Sequence, residues 1–128
     1  MKLLLDTNIL LWAMNDSLPD KAKVLLENSL TTLFFSTISI WEVGIRNSLG
    51  KSDFQVDPRE LYDTLLLCGY EELSIHAEHT ILSSSLPLIH KDPFDRILIA
   101  QSIKEGIPLV TSDQMIRDYL GDIRFFSK

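Results

Sequence analysis

The chain has 128 residues, 45% of them hydrophobic, and a formal net charge of −6. This length and hydrophobic content suit one folded domain over residues 1–128 and exclude a disordered chain. The acidic balance argues against broad electrostatic attraction to nucleic acid, although carboxylates that first bind divalent cations can still engage a phosphodiester.

Targeting segments and disulfides are not expected. No apolar run approaches the roughly 20 residues that a membrane helix needs. The apolar start of the chain meets Asp6 too early to be the core of a signal peptide. Cys68 is the only cysteine, and its apolar neighbours predict a core thiol in a reducing compartment. No spacing of Cys and His indicates structural zinc. We therefore expect a cytoplasmic protein without a membrane segment.

The first half of the chain alternates short apolar runs with helical periodicity, the pattern of buried strands that feed helices. The first helix begins at Thr7 or Asn8, either of which can cap it, and Gly50 ends the third helix. The predicted elements are, in order, a strand at 2–5, a helix broken at 16–19, a helix at 20–30, a strand at 32–36 and a helix at 37–49.

The second half continues this alternation after a polar loop at 51–57. Pro58 opens a helix at the position where proline is favoured, and Pro93 does the same behind the N-cap residue Asp92. The predicted elements are, in order, a helix at 58–69, a weak strand at 72–75, a helix at 76–85, a connection at 86–91, a helix at 92–106, a strand at 107–111, a short helix from 112 and an edge strand at 123–126.

Strands that alternate with helices predict an α/β fold with a parallel sheet covered on both faces. Ligands of such folds bind beyond the carboxyl ends of the strands. Asp6 directly follows the first strand, and Asp113 follows the strand at 107–111 after one intervening residue. Both can also be helix caps, and for Asp113 the two interpretations are equally compatible with the sequence. Capping explains Asp6 less well, because Thr7 and Asn8 can already cap that helix.

Glu42 lies on the apolar side of the predicted third helix. On a helical wheel of about 100° per residue, it lies ~40° from the nearest apolar position. The residues of that apolar face are Ile38, Trp41, Ile45 and Leu49. A carboxylate that faces a core is costly unless it is paired or bound to metal. A surface pair with Arg46 at i+4 contributes only ~0.5 kcal/mol or less. Since that small gain does not account for the position, we favour a role for Glu42 in a site.

The stretch from His90 to Gln101 is typical of the start of a buried helix with acids in its first turn. Asp92 is the predicted N-cap and Asp95 follows three residues later. Apolar residues then spread around most of the helix circumference, which indicates burial; they are Ile97, Leu98, Ile99, Ala100 and Ile103. Within this stretch, helix capping and a role in a functional site explain the two aspartates equally well. The choice between them therefore depends on where the other acids of the chain lie.

Four acids from four separate segments can thus meet at one rim: Asp6, Glu42, Asp95 and Asp113. Crowded carboxylates raise one another's pKa unless a cation neutralises them. Oxygen ligands of this kind suit Mg²⁺ or Mn²⁺, which can activate water for phosphoryl displacement. The sequence contains no candidate Ser/His/Asp triad, Walker loop or GxGxxG motif.

At these residues the chain resembles the PIN-domain ribonucleases of the VapC toxin type. The matching motifs are Leu3-Leu4-Leu5-Asp6-Thr7-Asn8, Ser36 through Ser39 to Glu42, His90-Lys91-Asp92-Pro93-Phe94-Asp95-Arg96 and Thr111-Ser112-Asp113. The resemblance covers essentially the whole chain, and the ordered set is far more specific than Asp-Thr-Asn alone. It implies a three-layer α/β/α sandwich with a short, mostly parallel central sheet.

The resemblance also implies a function. It implies a Mg²⁺- or Mn²⁺-dependent endoribonuclease whose metal-binding, catalytic acids are Asp6, Glu42, Asp95 and Asp113. Hydrolysis of RNA would leave a 5′-phosphate and a 3′-hydroxyl. Proteins of this family usually form homodimers and act as the toxin of a type II toxin–antitoxin pair. A segment of the cognate antitoxin then covers the site and inhibits it.

Several nearby side chains are candidates for supporting roles. Thr7 can orient Asp6 and Ser112 can orient Asp113 through hydrogen bonds, with plain capping as the alternative for both. Arg46, Lys91 and Arg96 are near enough to the acids in sequence to meet the phosphates of RNA, with solvated charges as the alternative.

The aromatic and histidine side chains are expected to support the fold and not to act in the site. Trp12, Trp41 and Phe94 are predicted to lie in the core and not to stack on bases, while His76 and His79 are predicted to be ordinary helix residues. His90 as a general base is disfavoured, because metal-activated water needs none.

Two other functions are compatible with acids at strand ends. The first is a catalytically degenerate PIN module that binds RNA or a protein partner without cutting, which the presence of all four acids argues against. The second is a phosphoacceptor domain of the receiver type. That fold needs paired acids early and a lysine after a late strand, and here Ser112 and Asp113 follow the last clear strand.

Overall fold

The computed structural model describes residues 1–50, 55–88, 91–119 and 121–127. Within these ranges the strands are β1 (Lys2–Leu5), β2 (Thr32–Ser36), β3 (Glu71–Leu73), β4 (Leu109–Thr111) and β5 (Ile123–Phe125). They form one sheet in the order β3-β2-β1-β4-β5, and all four neighbouring pairs are parallel. The predicted parallel α/β sheet is confirmed. Residues 51–54 of the loop predicted at 51–57, and residues 89–90 of the connection predicted at 86–91, lie outside the described residues, and His90 is one of them.

Seven helices connect the strands within the described ranges. They are α1 (Thr7–Met14), α2 (Asp20–Leu26), α3 (Thr37–Ser48), α4 (Pro58–Leu67), α5 (Ala77–Ser85), α6 (Pro93–Glu105) and α7 (Gln114–Arg117). The predicted helix starts at Pro58 and Pro93 and the predicted cap Asp92 are confirmed, and Asp57 is likewise the N-cap of α4. Gly106 ends α6 with a φ of 67°, a left-handed conformation that favours glycine.

Helices cover both faces of the sheet because successive side chains of β1 point in opposite directions. Leu3 and Leu5 pack in one core with residues of α1, α2 and α4. Leu4 packs in a second core with residues of α6 and α7. The chain therefore has the predicted α/β/α layers. Within the described part of the chain, every helix is too short or too polar to cross a lipid bilayer.

Helix α6 is largely buried, as its apolar circumference predicted. Leu98, Ile99 and Ala100 are fully buried, whereas Ile103 is 37% exposed. The helix packs against one face of the sheet, and its first turn, which contains Asp95, lies at the carboxyl edge of the strands near Asp6.

Two burial predictions are wrong. Cys68 is exposed, because α4 ends at Leu67 and the thiol sits in the turn at the helix C-cap. Trp41 and Leu49 of the predicted apolar face are also exposed, by 62% and 65%. Ile38 of that face is buried as predicted, but the other buried residues of α3 are Ser39 and Val43.

Candidate active site

One cavity of about 210 Å³ lies where α1, α3, α6 and the end of β4 meet. Its lining residues are Asp6, Thr7, Asn8, Glu42, Arg46, Asp92, Asp95 and Asp113. The structure thus brings the four predicted acids together, and it adds Asp92. Sheet order explains the meeting, because β1 lies between β2 and β4 and their carboxyl ends share one edge.

Asp6 combines a helix cap with a place in the cavity. It is 4% exposed. Its Oδ1 accepts a hydrogen bond of 2.9 Å from the Ile9 amide, and its Oδ2 accepts one from the Thr111 hydroxyl. Burial raises the pKa of Asp6 from 3.8 to about 6, and these two hydrogen bonds only partly offset that rise. The expected caps, Thr7 and Asn8, are wrong, since Asp6 is the N-cap of α1.

Thr111 was missed by the sequence reasoning. Its hydroxyl donates to Asp6 and accepts a hydrogen bond of 3.0 Å from the Asp113 amide. It therefore joins the acid after β1 to the backbone after β4. Its signal in the sequence was a hydroxyl at a strand end, but only the pairing of β1 with β4 puts it beside Asp6.

Thr7 supports Glu42 rather than Asp6. The Thr7 hydroxyl lies 2.6 Å from Glu42 Oε1 and 3.0 Å from Ser39 Oγ. Because a hydroxyl has one proton, Thr7 donates to the carboxylate and accepts from Ser39. The buried polar pair, Thr7 and Ser39, thus fixes one oxygen of Glu42 at the junction of α1 and α3.

Glu42 is partly buried, though for a different reason than the helical wheel predicted. It faces the polar junction with α1 and not the apolar core. Burial raises its pKa, the hydrogen bond from Thr7 lowers it, and Asp92 raises it further. Arg46 has the smallest effect, a lowering. The arrangement therefore holds a carboxylate in place at some electrostatic cost.

Asp95 carries the largest perturbation among the carboxylates of the cavity. Burial raises its pKa from 3.8 to about 8, and Asp92, Asp6, Glu42 and Asp113 add to the rise. Asp92 also caps α6, with its Oδ1 accepting from the Phe94 amide at 2.9 Å. The first turn of α6 therefore brings two acids into a cavity that already contains three.

Asp113 is both a cap and a member of the cavity. Its Oδ1 accepts from the Met115 amide at 2.8 Å at the start of α7. The two interpretations of this residue are therefore compatible. Ser112, which was expected to support Asp113, is partly buried. The backbone amide of Asp113 instead donates its hydrogen bond to the neighbouring Thr111 hydroxyl.

The three candidate cations lie in different places. Arg46 lines the cavity and is the one positively charged residue among its described lining residues. Lys91 is exposed next to the N-cap of α6. Arg96 is buried.

The predicted role of Arg96 needs correction. Its guanidinium donates to the carbonyls of Ser83, Leu86 and Pro87 at 2.7 to 3.0 Å, and to the Tyr119 hydroxyl at 3.3 Å. These bonds anchor the end of α5 to α6. We therefore assign Arg96 to the fold and not to an RNA surface.

The aromatic and histidine predictions have mixed outcomes. Trp12 and Phe94 are partly buried against the two cores. Trp41 is exposed and meets Phe94 edge to face, with ring centroids 5.4 Å apart. His79 is more than an ordinary helix residue, because its buried ring lies 3.0 Å from Glu105 Oε2 and accepts a hydrogen bond from the His76 amide.

The donor chemistry of the cavity fits a hard divalent cation, since its carboxylates repel one another and supply only oxygen ligands. The side-chain positions are not yet those of a closed metal site. Over residues 1–50, 55–88, 91–119 and 121–127, no three His, Cys, Asp or Glu side chains stand where they would hold one ion. Coordination would thus require the acids to turn toward a common point.

Comparison with known families identifies the domain. The family model of the PIN domain matches residues 3–120. The chain belongs to the PIN domain family. The PIN domains of VapC toxins are generally nucleases. Comparison with curated proteins gives no match.

Solved structures share this PIN fold over nearly the whole chain. The chain is similar to one in the crystal structure of VapBC2 from Rickettsia felis bound to a DNA fragment from its promoter. The TM-score there is 0.73 and the identity 21%, over 98% of this chain and 99% of the other. It is also similar to a chain of a toxin–antitoxin complex from Klebsiella pneumoniae, with a TM-score of 0.66 and 20% identity over 94% of each chain. A chain of DNA-bound VapBC from Salmonella typhimurium gives 0.67 and 15%, over 99% of this chain and 98% of the other.

Proposed function

We propose that this PIN-domain protein is a metal-dependent endoribonuclease and the toxin of a toxin–antitoxin pair. One observation carries the proposal. Carboxylates from four separate segments, Asp6, Glu42, Asp95 and Asp113, line a single small cavity at the carboxyl edge of the sheet. A fold gains no stability from burying carboxylates together, and burial, with added repulsion from the neighbouring acids, raises the pKa of Asp95 to about 8. The arrangement is therefore best explained by a cation that binds there in function.

The cation would be Mg²⁺ or Mn²⁺, held by these four carboxylates. Such an ion, when bound, supplies activation of water and neutralisation of phosphodiester charge. The residues around the ligands prepare them for that task. Thr111 and the Ile9 amide hold both oxygens of Asp6, and Thr7 holds one oxygen of Glu42. Fixed ligands lose less entropy on binding an ion than ligands that must first be ordered.

The substrate in this proposal is RNA, hydrolysed to a 5′-phosphate and a 3′-hydroxyl. Arg46 is placed to meet a phosphate, because it lines the same cavity as the acids. The five carboxylates around it would repel RNA in the absence of metal. We therefore expect substrate binding, as well as cleavage, to depend on the divalent ion.

The partners in this proposal are a cognate antitoxin and a second copy of the chain, in the cytoplasm. Support comes from the shared fold, since similar chains occur in VapBC and other toxin–antitoxin complexes. The antitoxin would cover the acidic cavity and prevent RNA from reaching it.

The test is cleavage of a labelled total-RNA pool by the purified protein in Mg²⁺, in Mn²⁺ and in EDTA. Asp6→Asn and Asp95→Asn are compared with Asp16→Asn, which changes an exposed aspartate outside the cavity. We expect cleavage to need metal, to disappear in the first two variants and to persist in the third. Cleavage that survives both cavity substitutions would contradict the proposal.

A degenerate PIN module is the second candidate, and one observation favours it. Among the described side chains, no three acids stand ready to hold an ion. Titration calorimetry with Mn²⁺ separates the two functions. A nuclease site should release heat that Asp95→Asn abolishes, whereas a degenerate site should bind little Mn²⁺ in either protein.

A further inference from the structure

A second cavity, of about 580 Å³, adjoins the acidic one. Asn8 and Arg46 line both cavities, so the two share a wall. A volume of this size lies within the range of pockets that hold small organic molecules. The second cavity is therefore large enough for a group attached to whatever occupies the first.

The lining of this second cavity is amphipathic. Its apolar part comes from α1, from the segment just before α4 and from α4 itself, and its residues are Leu11, Trp12, Met14, Val56 and Leu61. Its polar part consists of Asn8, Asn15, Arg46, Gln55, Asp57, Glu60 and Thr64. A nucleobase has apolar faces and hydrogen-bonding edges. An apolar surface with amide and carboxyl groups around it can therefore bind one.

Charge is distributed unevenly along the cavity. Arg46 lies on the wall shared with the acidic site, whereas Asp57 and Glu60, at the beginning of α4, line only the second cavity. A nucleotide would therefore bind with its phosphate toward Arg46 and its base toward the two acids. The reverse orientation would put a phosphate against carboxylates, which is unfavourable.

We propose that this second cavity is a nucleotide subsite, which holds the RNA residue next to the bond that is cut. The proposal rests on the proposed nuclease function for the position of the RNA. The preferred base donates hydrogen bonds to Glu60, because Asp57 is already engaged as the N-cap of α4. Guanine fits best, since two neighbouring N–H groups on its Watson–Crick edge match the two oxygens of a carboxylate.

Binding of short RNAs to the Asp95→Asn protein in Mg²⁺ tests this subsite without requiring cleavage. The probes are a fluorescein-labelled uridine oligomer and the same oligomer with one central guanosine. We expect guanosine to tighten binding by about tenfold, the value typical of one good carboxylate–base pair. Glu60→Gln keeps the shape of the side chain but removes its charge, and should reduce the preference to about twofold or less.

Glu78→Gln is the matched control. Glu60 and Glu78 are both exposed glutamates in the first turn of a helix, but Glu78 belongs to α5 and lies outside the cavity. We expect Glu78→Gln to keep the full preference for guanosine. Equal preferences in the two glutamine variants would overturn the proposal, as would equal binding of both oligomers by the Asp95→Asn protein.

Tryptophan fluorescence locates the base independently. The chain has two tryptophans. Trp41→Phe leaves Trp12 of the cavity as the emitter, and Trp12→Phe leaves the exposed Trp41. The guanosine oligomer should quench Trp12 and leave Trp41 nearly unchanged. Quenching of Trp41 alone would place the base elsewhere and contradict the subsite.

These outcomes are distinguishable from those of the nuclease test. If the protein binds the guanosine oligomer through Glu60 but never cuts RNA, the subsite stands and the nuclease function fails. If it cuts RNA with no preference that Glu60→Gln alters, the nuclease stands and the subsite fails. A protein segment would then be the better candidate for this cavity.

Discussion

Asp95→Asn should stabilise the metal-free protein and at the same time abolish cleavage. The pKa of Asp95 is about 8 in the folded protein, because of burial and the neighbouring acids. In the unfolded chain it returns to about 3.9. The folded state therefore binds the proton more tightly, so stability is greatest below pH 4 and is lost as the pH rises toward 8. Asparagine cannot ionise and escapes this loss.

The magnitude follows from the two pKa values. Their difference corresponds to an upper limit of about 6 kcal/mol at high pH. Asp95 retains partial contact with solvent, and part of the repulsion is relieved when neighbouring side chains turn outward. We therefore expect a gain of about 1 to 3 kcal/mol at pH 8, a large part of a typical total of 5 to 15 kcal/mol.

Urea unfolding followed by circular dichroism, in EDTA at pH 5 and pH 8, measures this gain. The advantage of Asp95→Asn over the wild type should grow between the two pH values. Asp16→Asn, at an exposed site, should show no such growth. If the substitution acted only by removing a hydrogen bond, the free energy of unfolding would change by the same amount at pH 5 and at pH 8. The growth of the difference with pH therefore identifies an electrostatic cause. An advantage that stays constant or shrinks with pH would refute the electrostatic reasoning.

Three further outcomes are expected. Thr111→Val removes the buried hydroxyl that holds Asp6 and the Asp113 amide, and should lower kcat/KM for RNA by about 10- to 100-fold at a loss of about 1 to 3 kcal/mol in stability; unchanged kcat/KM would contradict the role of Thr111. Arg96→Lys breaks the guanidinium contacts to buried carbonyls and should cost about 2 to 4 kcal/mol in urea unfolding while the folded enzyme stays active. In contrast to Arg96→Lys, Arg46→Ala should impair activity and not stability, with a higher KM for RNA and a nearly unchanged urea midpoint. A large loss of stability would instead indicate that Arg46 supports the fold.

Local rules predicted the elements well. The helices predicted to open at Pro58 and Pro93 do so, and Asp92 is the predicted cap, because capping and the preference for proline depend only on neighbouring backbone groups. Boundaries set by packing were less predictable, and α2 ends at Leu26, four residues before the predicted end. The short edge strand β5 was also predicted, although its place beside β4 was not.

The site was predicted as a set of acids but not as a structure. Asp6 and Asp113 could be placed at one rim because parallel strands end at the same edge of a sheet. Thr111 was missed because its contact with Asp6 spans 105 positions in the chain. Asp92 was predicted as a cap, and its second role as a cavity residue follows only from the approach of α6 to α3.

The sequence by itself determined the alternation of strands and helices, the acids at their ends and the resemblance to PIN domains, because caps, periodicity and motif order are local properties. Tertiary structure decided where each side chain points. The rotation of α3 about its axis exposes Trp41 and turns Glu42 toward Thr7, and the packing of α5 on α6 buries Arg96. These orientations depend on contacts between distant segments, and a periodicity of residues along one helix does not contain that information.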